Sequence, residues 1–354
     1  MTQVVKIALE EEWGKRSETT PHLYIRADEA EIGLNEDTQT MTGGSKSIQR
    51  ARKGYMEPEG SFSTTVDTKI MSTLLYYLMG NYKYTKGTGD EKNKHEFWCS
   101  DKTRLPSFTG TVCYDVGDQV VEKPALGVVL DEFELELGED LATAKNSLIY
   151  KTEKARQISQ DAQTIQDLNG IPFIGYDCTV TLDGVSSYVF TELKFSQKNN
   201  HQTDNCRGLG SRSYGIQPNT GDREIELELT TIFSLENITK IIESDYGELI
   251  TDDDGYWIPS KCKLKTMPVQ IKLQTCEDAT EYVTFIFPNC LVEVDPLSYK
   301  GSDDIEVKLT LTAMGNKTVK LNDGTTTKKT DFYAIVVNDQ ENVDRKVTSG
   351  TDGG

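Results

Sequence analysis

The chain has little histidine: His22, His95 and His201 are all there is, and none has a partner at the spacing of a metal site or a triad. His95, in "NKHEFWC", has Glu96 beside it but no second histidine four residues on, so the zincin pattern is absent and the segment reads as a loop. No Gly-rich turn ends in Gly-Lys-Ser or Gly-Lys-Thr, and no dinucleotide fingerprint follows a strand, which excludes the common nucleotide cradles. "TDDDGYW" (251–257) resembles the middle of a calcium loop, but it places Ile250 at the first ligand position and Lys261 at the twelfth, where oxygen ligands are required. "CRGLGSRSYG" (206–215) has glycines and arginines suited to phosphate, yet it lies in a polar loop and not before a helix. Cys206 beside Arg207 has no histidine base to activate it. With no convergent acid, base or nucleophile, the expectation is a protein that is not an enzyme and holds no cofactor or metal.

Long apolar runs and positive charge are also scarce. No run approaches the ~18 apolar residues of a membrane span, and no charged-then-apolar leader opens the chain, so neither membrane insertion nor secretion by a signal peptide is expected. Against 57 Asp and Glu stand 38 Lys and Arg, a net charge of −19, which repels nucleic acid and anionic membranes. Contact with DNA would have to be of a kind that does not adhere. The seven cysteines (Cys99, Cys113, Cys178, Cys206, Cys262, Cys276, Cys290) are odd in number and widely spaced, and read as reduced, cytosolic and mainly structural. Tyr76, Tyr77, Tyr82 and Tyr84 form no interleaved nucleic-acid platform; their clustering suits a subunit contact or core packing better than base stacking.

What the chain does have is strands. In "GSFSTTVDTKIMSTLLYYLMGNY" (60–82) the hydrophobic period changes midway. Phe62, Thr64 and Val66 alternate with Ser61, Ser63 and Thr65 as in a half-buried strand; from Asp67 the pattern is helical. Asp67 serves as N-cap, Ile70, Met71, Leu74, Leu75, Leu78 and Met79 form the stripe, and Gly80 suits a left-handed stop. "REIELELTTIFSLENITKIIESDYG" (223–247) repeats the order of elements, with Ser234 as cap, Leu235, Ile238, Ile241 and Ile242 as stripe, and Gly247 beyond the end. Alternating strands "HLYIRADEAEIGL" and "SYVFTELKFSQ" precede the two units, each followed by a polar stretch (35–60 and 198–222) that reads as a long loop.

Strand signals follow each unit: "SFTGTVCYDV" and "LGVVLDEFELEL" in the first half, "MPVQIKLQTC", "EYVTFIFPNCLVEVDPL" and "DIEVKLTLTAM" in the second. Hairpin turns are expected at Asp183-Gly184 and around Asn322–Gly324. Segment 139–152 fits a strand by analogy and a helix by propensity, 153–170 reads as a linker or short helix, and the polar tail from 338 reads as mobile. The expected fold is mainly β with one short helix per domain. Two tandem β domains are expected, 1–155 and 156–354, and the 36% hydrophobic content can give each a core.

Two charge patterns carry the functional reading. Glu132, Glu134 and Glu136 alternate with Phe133, Leu135 and Leu137, and Glu224, Glu226 and Glu228 alternate with Ile225, Leu227 and Leu229, so each strand has one buried and one acidic face. Such a face is an ordinary solvated one unless it lines something. Lys46, Arg50, Arg52 and Lys53 crowd the first long loop and Lys198, Arg207 and Arg212 the second; each is either an arm that meets an acidic face of a neighbouring subunit or a floppy surface loop.

With these elements in hand, the chain resembles the tail tube proteins of tailed bacteriophages. The stretch "GSKSIQRARKGYMEPEGSFSTTVDTKIMSTLLYYLMGNY" (44–82) carries the likeness, a basic loop leading into a strand and then a short helix ending in Leu-Met-Gly. The resemblance implies β-sandwich or partial-barrel domains, each flanked by a helix, six of which close a ring whose inner sheets form a hollow barrel. Rings would stack through the long loop and the termini into a tube that delivers DNA. The usual subunit has one such domain and this chain reads as two, so three subunits would complete a pseudo-sixfold ring. The six glutamates named above would then line the lumen, and the partners implied are further copies and other tail proteins such as tape measure, sheath or terminator, in a virion tail assembled in the host cytoplasm. A secreted or surface β-sandwich binding module, adhesin or carbohydrate-binding, is the rival; it predicts a leader and exposed aromatic platforms. A phage-derived injection device would share the fold and differ in cargo.

Overall fold

The computed structural model describes residues 3–15, 23–41, 48, 50–99, 101–115, 119–159, 170–184, 186, 190–232, 250–251, 253–258, 266–275, 280–294, 306–315, 317–320 and 326–344. In chain order the first half holds β1 (Gln3–Leu9), β2 (Leu23–Ala27), β3 (Glu29–Met41), β4 (Arg50–Thr65), α1 (Thr68–Met79), β5 (Gly80–Thr85), β6 (Asn93–Cys99), β7 (Phe108–Asp115), β8 (Gln119–Leu137), β9 (Thr143–Ile149), β10 (Thr152–Glu153) and β11 (Arg156–Ser159). The second half holds β12 (Cys178–Leu182), β13 (Phe190–Lys198), β14 (Glu224–Ile232), β15 (Ile250–Thr251), β16 (Trp257–Ile258), β17 (Thr266–Leu273), β18 (Tyr282–Val294), β19 (Glu306–Ala313), β20 (Thr318–Lys320), β21 (Thr327–Lys329) and β22 (Tyr333–Asn338). The protein is mainly β.

The strand-to-helix switch at residue 67 forms as its sequence dictates. Asp67 Oδ1 accepts the backbone N–H groups of Lys69 and Ile70, both at 2.8 Å, satisfying two donors that the first turn leaves open. Gly80 ends the helix at φ 77, a left-handed conformation that a Cβ disfavours, and its N–H bonds to the Tyr76 carbonyl. Asp67→Ala is expected to cost about 1 kcal/mol by removing the cap; the urea midpoint against the parent checks it.

Burial of α1 goes beyond the apolar stripe: Ser72, Thr73, Tyr76 and Tyr77 are buried too. The cover comes partly from residues 338–344, which hydropathy assigns to the mobile tail but which dock on the helix. Asn338 Nδ2 donates to the Thr68 carbonyl at 3.0 Å, Gln340 Nε2 to Thr73 Oγ1 at 3.2 Å, and Lys69 pairs with Asp339 at 3.0 Å. Val343 is 2% exposed and its N–H donates to Tyr82 Oη. The polar side chains of this segment find partners along the helix, so low hydrophobicity does not release it.

Strands β8 and β18 organise the sheets. The first part of β8 pairs with β7 on one edge and with β10 and β11 on the other; its second part pairs with β13 and β9. Gly127 (φ 70) lies where the partners change. β18 behaves alike, with β17 along one edge and β22 then β19 along the other. The resulting polar-faced sheet runs β3-β4-β9-β8-β13-β14-β19-β18, all antiparallel, and crosses from the first half to the second at β8–β13 without a break. A second junction pairs β22 with β6. One hydrophobic cluster spans both halves, from Val5 through the α1 residues to Phe285, Phe332 and Val343.

Several expectations are corrected by these pairings. Residues 35–60 are mostly a long β3–β4 hairpin and not a loop, because the polar residues there still pair backbone to backbone. Segment 139–152 resolves as a strand, since β9 is flanked by partners on both edges. His95 is no loop residue but a fully buried member of β6. Asp183 and Gly184 have the expected positive φ values of 49 and 79, yet β12 pairs with β17, while β13 pairs with β14 and β8. The second expected hairpin forms as β20–β21. The expected helix at 234–247 lies outside the described residues.

Candidate functional site

The polar face of the long sheet collects the charge. Register places the glutamates in transverse rows: Ser147, Glu132, Lys198 and Glu224 stand opposite one another in turn, as do Lys145, Glu134, Ser196, Glu226 and Thr312, and then Thr143, Glu136, Lys194, Glu228 and Thr310. All six expected glutamates therefore share one face, with Phe133, Leu135, Phe195, Leu227 and Leu229 buried on the other. Period-2 geometry makes this automatic once the register is set. Glu31 and Glu59 extend the acidic face onto β3 and β4, and Glu293 onto β18, all three exposed.

The rows also carry cations. Lys145 Nζ lies 2.9 Å from Glu136 and 3.4 Å from Glu134; Lys194 Nζ lies 3.0 Å from Glu134 and 3.7 Å from Glu136. Lys198 pairs with Glu132 at 3.2 Å and Lys308 with Glu228 at 2.7 Å. The Lys145 hydrogen bond holds the Glu136 carboxyl below its ordinary pKa, and the glutamate bonds raise Lys145, Lys194 and Lys198 above theirs. Each ammonium group is thus charged but already engaged by carboxylate. Lys145, Lys194 and Lys308 escape a reading that looks only for acidic runs; the alternation in "ELKFSQK" is the signal that points to Lys194 and Lys198 sharing a face.

The basic residues read as loop arms have separate locations. Lys46 lies outside the described residues. Arg50, Arg52 and Lys53 are exposed at the start of β4, next to the 42–49 connection between the two hairpin strands, opposite Met41, Gln39 and Thr38. Lys198 belongs to the charged rows. The 198–222 stretch remains a loop and docks on the same chain's hairpin: Arg207 pairs with Glu57 at 2.9 Å and packs over Tyr55 and Tyr214, while Arg212 Nε donates to the Gly54 carbonyl at 3.0 Å and the Met56 N–H to the Arg212 carbonyl at 2.8 Å. Leu209 projects fully into solvent from this loop, and Tyr55 and Ile48 are exposed on or beside the hairpin.

No chemically reactive arrangement emerges among the described residues. Burial pushes the thiols of Cys178 and Cys290 up to about 12 and raises Cys206, which keeps them protonated. His201 Nδ1 meets Asp131 at 2.8 Å; burial opposes the Asp131 charge, but the bonds from His201 prevail and lower its pKa. That pair ties the start of the 198–222 loop to β8. Among the described residues no group of three or more His, Cys, Asp or Glu could hold a metal ion, and no helix is long and apolar enough to cross a membrane.

A charged sheet face flanked by an exposed loop is the kind of surface that an architectural protein presents. Residues 2–313 match the model of the family described as phage tail tube protein, and the chain belongs to that family. Comparison with curated proteins returns no match. Membership makes it a structural component of a phage tail tube, located in the virion tail, which self-assembles and associates with other tail components.

Proposed function

We propose that the chain closes into rings, three copies supplying six related β units, which stack into a hollow tube for DNA delivery. The observation that carries this reading is the set of Glu and Lys rows on a sheet continuous across both halves, which gives a polar wall with an apolar back. The pairing order β3-β4-β9-β8-β7 in the first half matches β13-β14-β19-β18-β17 in the second, which supports two related units, 1–155 and 156–354.

The rows form the lumen, with Glu132, Glu134, Glu136, Glu224, Glu226 and Glu228 facing inward. Carboxylates repel phosphate, and lysines held in ion pairs are poor anchors for it, so DNA slides without adhering. The hairpin end with Lys46, Arg50, Arg52 and Lys53 and the loop with Arg207 and Arg212 reach the neighbouring ring. Further partners are tape measure, sheath or terminator proteins, and assembly takes place in the host cytoplasm.

Negative-stain electron microscopy of the concentrated, purified chain tests the proposal. Rings or hollow tubes with threefold or apparent sixfold symmetry are expected. A protein that stays dispersed both alone and with the tail-initiating proteins of its own phage would overturn it.

A further inference from the structure

The two halves have corresponding strands, so the junction between them predicts a second junction that one chain cannot make. In the first half the last residue of β4, Thr65, faces the first residue of β9, Thr143; in the second half the last residue of β14, Ile232, faces the first of β19, Glu306. From those anchors the equivalences follow by register. Glu29 of β3 faces Ser63, two residues before the end of β4, and Glu192 of β13 faces Thr230, two before the end of β14. Glu132 of β8 faces Ser147, four residues into β9, and Glu293 of β18 faces Thr310, four into β19.

Within the chain, β13 lies along β8 with Lys198 opposite Glu132. Lys198 is six residues beyond Glu192, as Asn35 is six beyond Glu29. The strand equivalent to β8 is β18, and the strand equivalent to β13 is β3.

We infer that β3 of one subunit pairs antiparallel with the end of β18 of another copy of this chain, with position 35 opposite Glu293 and position 34 opposite Val294. The inference rests on the ring reading and specifies which edges meet and in what register. Both edges stand open among the described residues. β17 leaves β18 at the Thr266–Leu291 pair, and beyond it Val292, Glu293 and Val294 pair only with β19. The long strand β3 pairs only with β4. Lys123 Nζ and Tyr150 Oη hold the carbonyls of Ile32 and Gly33 at 2.8 and 2.7 Å, which fixes the strand just before the proposed contact.

Face parity agrees. On β18, Val292 is buried and Glu293 exposed; on β3, Ile32 is buried and Glu31 exposed, and by period-2 alternation position 35 has the parity of Glu31. A register shifted by one residue would place core-facing positions on the polar wall. Pairing also removes two exposed edges that would otherwise template aggregation.

Disulfide trapping tests the seam, because directly opposed Cβ atoms come within about 4.5–5.5 Å, close to disulfide range. The chain carrying both Asn35→Cys and Glu293→Cys, mildly oxidised, is expected to shift into a ladder of covalent multimers that reductant collapses. An equimolar mixture of the two single variants is expected to stop at dimers. The parent chain and the off-register pair Glu31→Cys with Glu293→Cys serve as controls and are expected to stay monomeric. An equal ladder from the off-register pair overturns the register, and a fast-migrating, internally closed monomer overturns an intermolecular seam. Micrographs of the same samples separate the two levels: rings without cross-links overturn the seam and leave the ring reading standing, whereas absence of both rings and cross-links overturns both.

Discussion

Phe195→Ala is expected to cost about 3–5 kcal/mol, the usual range for emptying a fully buried aromatic site. Phe195 is 0% exposed, and its ring lies between 5.0 and 5.8 Å, centroid to centroid, from Phe133, Phe285, Phe287 and Phe332. Those four rings belong to β8, to β18 and to the residue before β22, so the cavity opens where strands of both halves meet. The neighbours cannot collapse inward readily, because each is fixed by a paired strand. Against a typical domain stability of about 5–15 kcal/mol the loss is a large share. Urea unfolding checks it: a marked fall in midpoint with an unchanged slope is expected, and Phe195→Leu should recover much of the loss. A fall below about 1 kcal/mol would mean that this cluster does not bind the halves together.

Acidification through the range of His95 has the second large effect. Its ring is buried, with Nε2 at 3.1 Å from the Gln340 carbonyl and Nδ1 at 2.8 Å from Tyr82 Oη. A carbonyl only accepts, so Nε2 carries the proton and donates, and Nδ1 accepts from the tyrosine hydroxyl. Tyr82 Oη in turn accepts the Val343 N–H at 3.2 Å. Burial drives the His95 pKa down from 6.5 to about 4.

A depressed pKa in the folded state means that the unfolded chain takes up the proton first. The stabilisation is full above about pH 6.5 and is lost as pH falls towards 4, for a total of about 3 kcal/mol. The expected observation is a melting temperature that drops between pH 7 and pH 4, with residues 338–344 exchanging amide protons faster at the acid end. In His95→Phe, which keeps the stacking with Phe97 but cannot titrate, the drop is expected to shrink while the neutral-pH stability falls through loss of the two hydrogen bonds. An unchanged pH profile in that variant would assign the acid sensitivity to other groups.

These two sites show why parts of the molecule were legible in the sequence and parts were not. Local signals read well. Asp67, the helical stripe and Gly80 determine α1 because capping and periodicity act within a few residues. The alternation of glutamate with apolar residues in β8 and β14 determines which residues share a face of each strand, since that follows from the pleat alone. The phage tail tube resemblance, carried by residues 44–82, rested on such local elements in their order along the chain, and the family match extends over residues 2–313.

Partnerships across long separations did not read. His95 looked like a loop residue because what buries it, Tyr82 on one side and Gln340 on the other, is distant in sequence or belongs to the other half. The Asp183-Gly184 turn was correct as backbone geometry and gave the wrong strand partners, because β17 and β8 compete for β12 and β13. The polar residues after 338 looked unattached because hydropathy does not register hydrogen bonds to a distant helix.

By itself, then, the sequence determined the β-rich class, the capped helix and the two-faced character of the acidic strands, all properties set by a residue and its near neighbours. Tertiary structure alone decided that the six glutamates lie on a single wall, that Lys145, Lys194, Lys198 and Lys308 neutralise part of it, and that the halves share a sheet and a core. The physical reason is register: cross-strand neighbours are fixed by backbone pairing between segments far apart in the chain, and a slip of one residue would exchange every buried side chain for an exposed one.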